Sequence, residues 1–314
     1  MTKSLSIIIP HLNDEDLVAT IKSIYETIDI DDFEIITIDD FSDKKYDFSE
    51  LSSFKNITSI RNPNRYGVDG CRQLGVELAK KDNILLLDAH MRFKKDNWAS
   101  KIINCLNREP ETIWCTTCLV LGYGNMDINK AIDKYYGATV LLVDKNSPLD
   151  RPCREVMEPK WIPRKENKLE YEIPCVLGAN YFFKRDWFNY LHGLKGLMMW
   201  GTSEPFLSLK SWLAGGRCKI TTEIEIGHKF RQYAPYSTVV WFLVYNKIYL
   251  CKTILSEDIS NKLIKELKND RNLNKAMSEI NNIENIINNE KKYYDSIFKI
   301  NIEKVCEKFS IILP

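Results

Sequence analysis

Four short extended runs, separated by stretches long enough to be helices, constrain this chain more than any other feature. SLSIII (4–9), FEIITID (33–39), NITSIR (56–61) and NILLLD (83–88) alternate with helical patterning at 14–28 and about 68–80. Strands buried on both faces lose the in-out alternation of exposed strands, so runs this apolar predict a parallel sheet covered by helices on either side. In such sheets ligands bind beyond the carboxyl ends of the strands. That places Asp39, Asp40 and Asp88 at the mouth of a cleft. If extended geometry continues through Ala89, side chains two residues apart share a face and His90 joins Asp88 there.

Further along, the segment 144–174 is rich in proline and charge without a clean period, which reads as a long loop or irregular strands of the kind that often bind ligands. An extended run follows at about 178–184, then a helix at about 203–214 closed by Gly215 and Gly216, then a short strand reaching Gly227. VVWFLVY (239–245) is far short of the roughly 20 residues a membrane-spanning helix needs and reads as a core helix. From about 256 the composition turns to Asn, Lys, Glu and Ile. Ile259, Leu263 and Leu267, then Ile280, Ile283 and Ile287, recur at helical spacing and predict two or three amphipathic helices. The chain therefore divides into a main domain, 1–236, and a helical extension, 237–314. The extension is either packed on the main domain or a surface for homo-oligomer formation or docking.

Composition excludes more than it selects. A chain of 314 residues, 44% hydrophobic, buries a full core. Forty-four basic against 43 acidic residues give a net charge of +1, so no global field favours nucleic acid or an anionic membrane. The apolar run before Pro10 is short and no small-residue cleavage pattern follows, so a cytoplasmic protein without membrane insertion is expected. Nine scattered cysteines suit a reducing compartment better than a disulfide framework. Cys115 and Cys118 form a CxxC inside the extended run TIWCTTCLVL, with no second pair, and read as buried thiols.

The chain has four histidines: His11, His90, His192 and His228. His90 in DAH and His228 in IGHKFR both stand at the ends of extended runs. With Asp88 they make a carboxylate and two imidazoles, a set that suits a divalent first-row metal with positions open for substrate. The competing reading is a pair of hydrogen-bonded histidines near the surface.

SIIIPHLNDED followed by EIITIDDFSD resembles the opening of the GT-A nucleotide-sugar glycosyltransferases, family 2 in its broad sense. DAH, MMWGTSEPFLSLKSWLAGGRCKI and IGHKFRQYAPY are similar to the catalytic domain of the polypeptide N-acetylgalactosaminyltransferases, over roughly residues 4–236. The resemblance implies an α/β GT-A fold, Rossmann-like with a mostly parallel central sheet, and a UDP-sugar donor. It implies Mn2+ (or Mg2+) on Asp88, His90 and His228, where the ion would offset charge developing on the departing diphosphate. Nucleotide contacts would come from Pro10, His11, Arg65, Gly67, Arg72 and Ala89, and from either Asp39 or Asp40 accepting hydrogen bonds from uracil or ribose. Gly178 and Asn180 would let the donor sugar approach closely. Asp88, Trp200, Glu204 and Arg231 would form the catalytic side.

One departure stands out: the family's glutamate after Trp-Gly-Gly is Ser203 here, with Glu204 one position later and Pro205 behind it. The motifs resemble enzymes that retain anomeric configuration. Inverting relatives need a carboxylate base at the acceptor hydroxyl, for which Glu204 is the nearest candidate. The acceptor could be a protein, a glycan or a modified nucleobase. It would be read by the 144–174 segment with Trp161, Arg164, Lys165 and Lys168, by Trp200 and by 229–236. Two other readings stand beside this one: a catalytically silent nucleotide-sugar-binding protein, and an inverting enzyme acting on a glycan. Phosphoryl transfer is weaker, because no GxxxxGK[ST] loop is present.

Overall fold

The computed structural model describes residues 3–122, 126–143, 156–231 and 240–314. Its first half alternates as expected: β1 (Ser4–His11), α1 (Leu17–Thr27), β2 (Asp32–Asp39), β3 (Ile57–Arg61), α2 (Gly67–Leu78) and β4 (Asn83–Leu87). These strands pair in parallel in the order β3-β2-β1-β4, with β1 and β4 wholly buried. Pro10 and His11 belong to β1 rather than following it, in register with Ile38 and Asp39. Proline is tolerated there because pairing with β4 stops at Ile8. The His11 carbonyl bonds Asp40 on the β2 side, so the nitrogen of Pro10 turns to the side where no ladder bond is required.

The second half makes the sheet mixed. After β5 (Met91–Phe93) and α3 (Trp98–Arg108) come β6 (Thr112–Leu121), β7 (Asp133–Tyr135), β8 (Ala138–Val140), β9 (Pro159–Trp161), β10 (Glu170–Glu172), β11 (Asn180–Lys184), α4 (Arg185–Tyr190), α5 (Ser203–Leu213) and β12 (Arg217–Lys229). The full order is β10-β12-β6-β11-β4-β1-β2-β3, with β11 antiparallel to both β4 and β6. The strand reaching Gly227 is not short: β12 runs for 13 residues, bulged against β6 between Thr221 and Glu225. Such a bulge lets a long strand bend and re-aim its end. Two short strands, β9 and β10, occupy the described part of the 144–174 segment, and residues 144–155 lie outside the described residues.

Beyond residue 240 five helices follow: α6 (Trp241–Ile254), α7 (Glu257–Glu266), α8 (Leu273–Asn282), α9 (Glu284–Ile297) and α10 (Ile302–Phe309). Four of them follow residue 256, not the two or three expected from the apolar period. The period is blind to the break at Ile283, one residue that both ends α8 and precedes α9. Ile259, Leu263, Leu267, Ile280 and Ile287 are buried as their spacing requires. The extension also packs on the main domain. Lys299 N donates to Leu213 O at 2.7 Å, the rings of Trp212 and Phe309 meet edge-on at 5.2 Å, and one apolar core includes residues from Leu5 to Cys306.

The eight described cysteines are unpaired and buried, and burial pushes the Cys115 thiol up to about 12. No helix among the described residues is long and apolar enough to cross a membrane.

Candidate active site

β4 ends at Leu87, so strand alternation does not carry Asp88 and His90 to the same place as expected. Residues 88–90 form a bend, and the chain resumes as β5, which pairs antiparallel with β12 so that Met91 lies opposite His228. The bend is held from three sides. Asp88 N donates to Ala179 O at 3.0 Å, Thr20 Oγ1 donates to Ala89 O at 2.7 Å, and Lys229 N donates to His90 O at 3.1 Å. Strand pairing thus brings His90 beside His228 across 138 positions, with their Nε2 atoms 3.1 Å apart. Asp88 Oδ2 lies 3.4 Å from His228 Nε2. Neighbouring donors around one octahedral ion bound at about 2.1 Å sit roughly 3 Å apart, so this spacing fits a shared cation. Among the described residues these three form the one group of three such side chains whose ligand atoms lie within 4.8 Å of one another.

Each donor is oriented from behind. His90 Nδ1 donates to Asp14 Oδ2 at 2.9 Å, which turns its other nitrogen towards His228. Burial works against the Asp14 charge, but His90 and the ion-paired Arg231 outweigh it and hold the carboxyl at about 2. A carboxylate behind a ligating imidazole fixes its tautomer and raises its basicity. Burial lowers the pKa of His228 despite the opposing pull of Asp88, which favours the neutral, ligating form. The Asp88 carboxyl lies below the usual range: burial opposes this, and His228 and Arg72 overcome it.

Arg72 is a buried hub. It donates to Glu204 Oε1 at 2.8 Å, to Asp88 Oδ1 at 3.2 Å and to Gly178 O at 2.8 Å. A Cβ on Gly178 would meet Glu204 Oε1 at 2.8 Å, which explains the glycine. Glu204 also accepts from Ser203 Oγ at 3.3 Å, so both its oxygens are engaged. Asn180 is fully buried, its Oδ1 accepting from Thr116 N and Oγ1.

On the opposite flank, Asp40 is hydrogen-bonded to the turn that leads into α2. It accepts from Tyr66 N at 2.6 Å, Gly67 N at 2.9 Å and Asn62 Nδ2 at 3.1 Å, with Arg65 3.8 Å away. Asp39 accepts from Ser42 N at 2.7 Å and pairs with the half-exposed Arg61. His11 packs edge-on against Phe48 at 4.5 Å, and burial, partly offset by Asp39 and Asp14, pushes its pKa down to about 4. Gly67 adopts φ +78°, and a Cβ there would fall 2.0 Å from Met199 Cα, so the start of α2 presses on the loop that carries Trp200. Trp200 itself is 53% exposed.

Trp161 reaches the His228 side, its ring 5.9 Å from that of His228 and 5.3 Å from that of Phe230, whereas Arg164, Lys165 and Lys168 are exposed. Residues 232–236 of the 229–236 segment lie outside the described residues. The structure therefore gathers Asp88, His90, His228, Arg72, Glu204, Gly178 and Arg231 around one centre. Asp39, Asp40, His11, Arg65 and Gly67 form a second group at the ends of β1 and β2. Sequence reasoning missed Asp14 and Thr20. Asp14 sat in plain view in HLNDED, just past β1, where an acid can back a cleft histidine.

A family model described as "Glycosyl transferase family 2" matches residues 6–191. The human polypeptide N-acetylgalactosaminyltransferase 10 is 28% identical over 211 residues, covering 65% of this chain and 33% of that protein. The chain thus spans about a third of the length of the curated relatives it matches. Among solved structures, one of GalNAc-T7 with UDP, GalNAc and Mn2+ superposes with TM-score 0.70 at 18% identity, covering 98% of this chain and 56% of the other. TarS of S. aureus with UDP-GlcNAc gives TM-score 0.51 at 13% identity, covering 85% and 72%. Both likenesses concern the fold.

Proposed function

This chain belongs to glycosyl transferase family 2, and from that premise we propose that it is a metal-dependent transferase moving a sugar, by preference an N-acetylhexosamine, from a UDP-sugar to a hydroxyl. The observation that carries the reading is the convergence of Asp88, His90 and His228 at the end of β4, where an α/β sheet of this kind receives its ligand. A divalent ion held there would neutralise charge on the departing diphosphate. Arg72 holds the Asp88 carboxylate in place from within the core, and Asp14 presents His90 Nε2 towards the cleft. Asp39, with Pro10 and His11, forms the base-facing side. Asp40 acts through the turn it caps.

The engaged oxygens of Glu204 favour retention, since a carboxylate already bonded by Arg72 and Ser203 is poorly placed to take a proton from an acceptor. Trp200, Trp161 and the exposed cations of 164–168 form the acceptor side, and a protein hydroxyl is the preferred acceptor. The eight described cysteines, buried and unpaired, support a cytoplasmic setting.

The test is release of UDP from UDP-GalNAc and UDP-GlcNAc with Mn2+, followed by NMR of the first-formed anomer. Metal-dependent release with retained configuration is expected. A donor that binds and raises the melting temperature without turnover would instead identify a silent binding protein. Inversion would return Glu204 to the role of base.

A further inference from the structure

The loop Met198–Thr202, which carries Trp200, has an unusual backbone. Met199, Gly201 and Thr202 all have positive φ, at +57°, +105° and +68°. For Met199 and Thr202, which are not glycine, such conformations persist only where the surroundings over-determine them. Apolar anchoring does not do this, because Met198 and Trp200 both point outward. The loop is held instead by polar groups of α6, the first helix of the extension.

Asn246 is fully buried. Its Oδ1 accepts from Met198 N at 2.8 Å, and its Nδ2 donates to Met198 O at 2.9 Å, Gly201 O at 2.9 Å and, at a longer 3.3 Å, Trp200 O. Three carbonyls can only accept, so the amide orientation is dictated by the loop, and one side chain spends nearly its whole bonding capacity there. Lys247, also buried, pairs with Glu158 at 3.6 Å, and Glu158 accepts from Thr202 N and Oγ1, both at 3.0 Å. Leu243 closes the same face: a Cβ on Gly201 would fall 2.2 Å from its Cδ2. Positions 243, 246 and 247 are three and four apart, so one face of α6 makes all these contacts.

The loop touches the site on both sides. Met199 O accepts from Asp69 N at 3.3 Å, and Thr202 O accepts from Phe206 N at 2.9 Å at the start of α5, which bears Glu204 and, through Arg72, Asp88.

We infer that α6 is part of the acceptor-side machinery and that Asn246 is a positioning residue that sets the Trp200 loop; the functional meaning of that loop rests on the transferase reading above. The test uses the whole chain labelled with 5-fluorotryptophan, with the Trp200 resonance assigned through Trp200→Phe. Asn246→Ala should shift or broaden that resonance and, by displacing the start of α5 and with it Glu204, lower UDP release from UDP-GalNAc with Mn2+ by roughly tenfold or more, as misplaced site groups do. Ile254→Ala removes another buried α6 side chain about 12 Å along the helix and serves as a destabilised control. It should leave the Trp200 signal in place. If Asn246→Ala fails to fold, Lys247→Met tests the same face and should also move the signal. An unmoved Trp200 resonance in a folded Asn246→Ala or Lys247→Met chain overturns the inference, as does an equal change in Ile254→Ala. Absent UDP release in the unaltered chain would overturn the transferase reading, while the fluorine signal still decides the role of Asn246.

Discussion

His90 and His192 sit in regions built from the same ingredients, and only one of them looks like a site. Each imidazole bonds a carboxylate through Nδ1 at 2.9 Å: Asp14 for His90 and Glu290 for His192. Each has a cation close by, Arg231 on Asp14 and the buried Lys210 beside His192. Around His192 the polar groups satisfy one another, although the ring itself is partly exposed. Its ring stacks on Tyr293 at 3.8 Å, and Lys210 Nζ donates to Leu191 O and Gly193 O and lies 3.8 Å from the centre of the Phe206 ring. Burial pushes the Lys210 pKa well below its usual value. Around His90, by contrast, the second ring nitrogen faces another nitrogen and a carboxylate. Polar groups that satisfy one another hold the extension on the main domain. Three potential ligand atoms that converge on one point instead suit a shared cation.

The sharpest way to break this contrast is Asp88→Ala. Manganese affinity, measured by calorimetry, should fall beyond the roughly 100-fold that an outer-shell change produces, with the fold intact because Arg72 keeps Glu204 and Gly178 O. Unchanged affinity would make the two histidine regions equivalent.

The cleft side should also own an acid transition. His11 has a folded pKa of about 4, below its unfolded value near 6.5, so the unfolded chain takes up the proton first. Stability is then whole above pH ~6.5 and falls by up to about 3 kcal/mol as pH drops towards ~4. Asp39, Asp14, Asp40 and Arg61 all act on this ring, the acids opposing the shift and the arginine aiding it. Urea titrations of His11→Leu across that window should show the loss flattened, and an unaltered pH slope would assign the transition elsewhere.

On the extension side, Lys210→Met strips donors from two buried carbonyls and should cost about 2 kcal/mol in denaturant melts. It should leave manganese affinity unaltered. A change in metal binding there would join the two regions. The smallest effect expected is Asp14→Asn, which keeps an acceptor for His90 but removes the charge. Metal affinity should drop about tenfold, roughly 1.4 kcal/mol. A drop in stability without a drop in affinity would make Asp14 a structural partner like Glu290.

Much of the cleft could be read before any coordinates, for a chemical reason. In a chain with four histidines, two that stand at strand ends beside acids are conspicuous. Asp39 and Asp40 were equally visible but not distinguishable. What separates them is that Asp40 faces the amides of Tyr66 and Gly67, a fact about where α2 begins in space. Arg72, expected as a nucleotide contact, is buried between Asp88 and Glu204.

The sequence alone determined the parallel strands and the acids at their ends, because burial on both faces and strand polarity leave a local signature. It also determined the amphipathic stripes of the extension, though not the single-residue break at Ile283. Only the tertiary structure decided that β5 pairs with β12 and so sets His90 against His228, that Asp14 stands behind that ring, and that Asn246 reaches the carbonyls around Trp200. These roles belong to ordinary polar residues with no period and no rare chemistry. Their function is created by which ends of which elements meet, and the packing of the whole chain settles that.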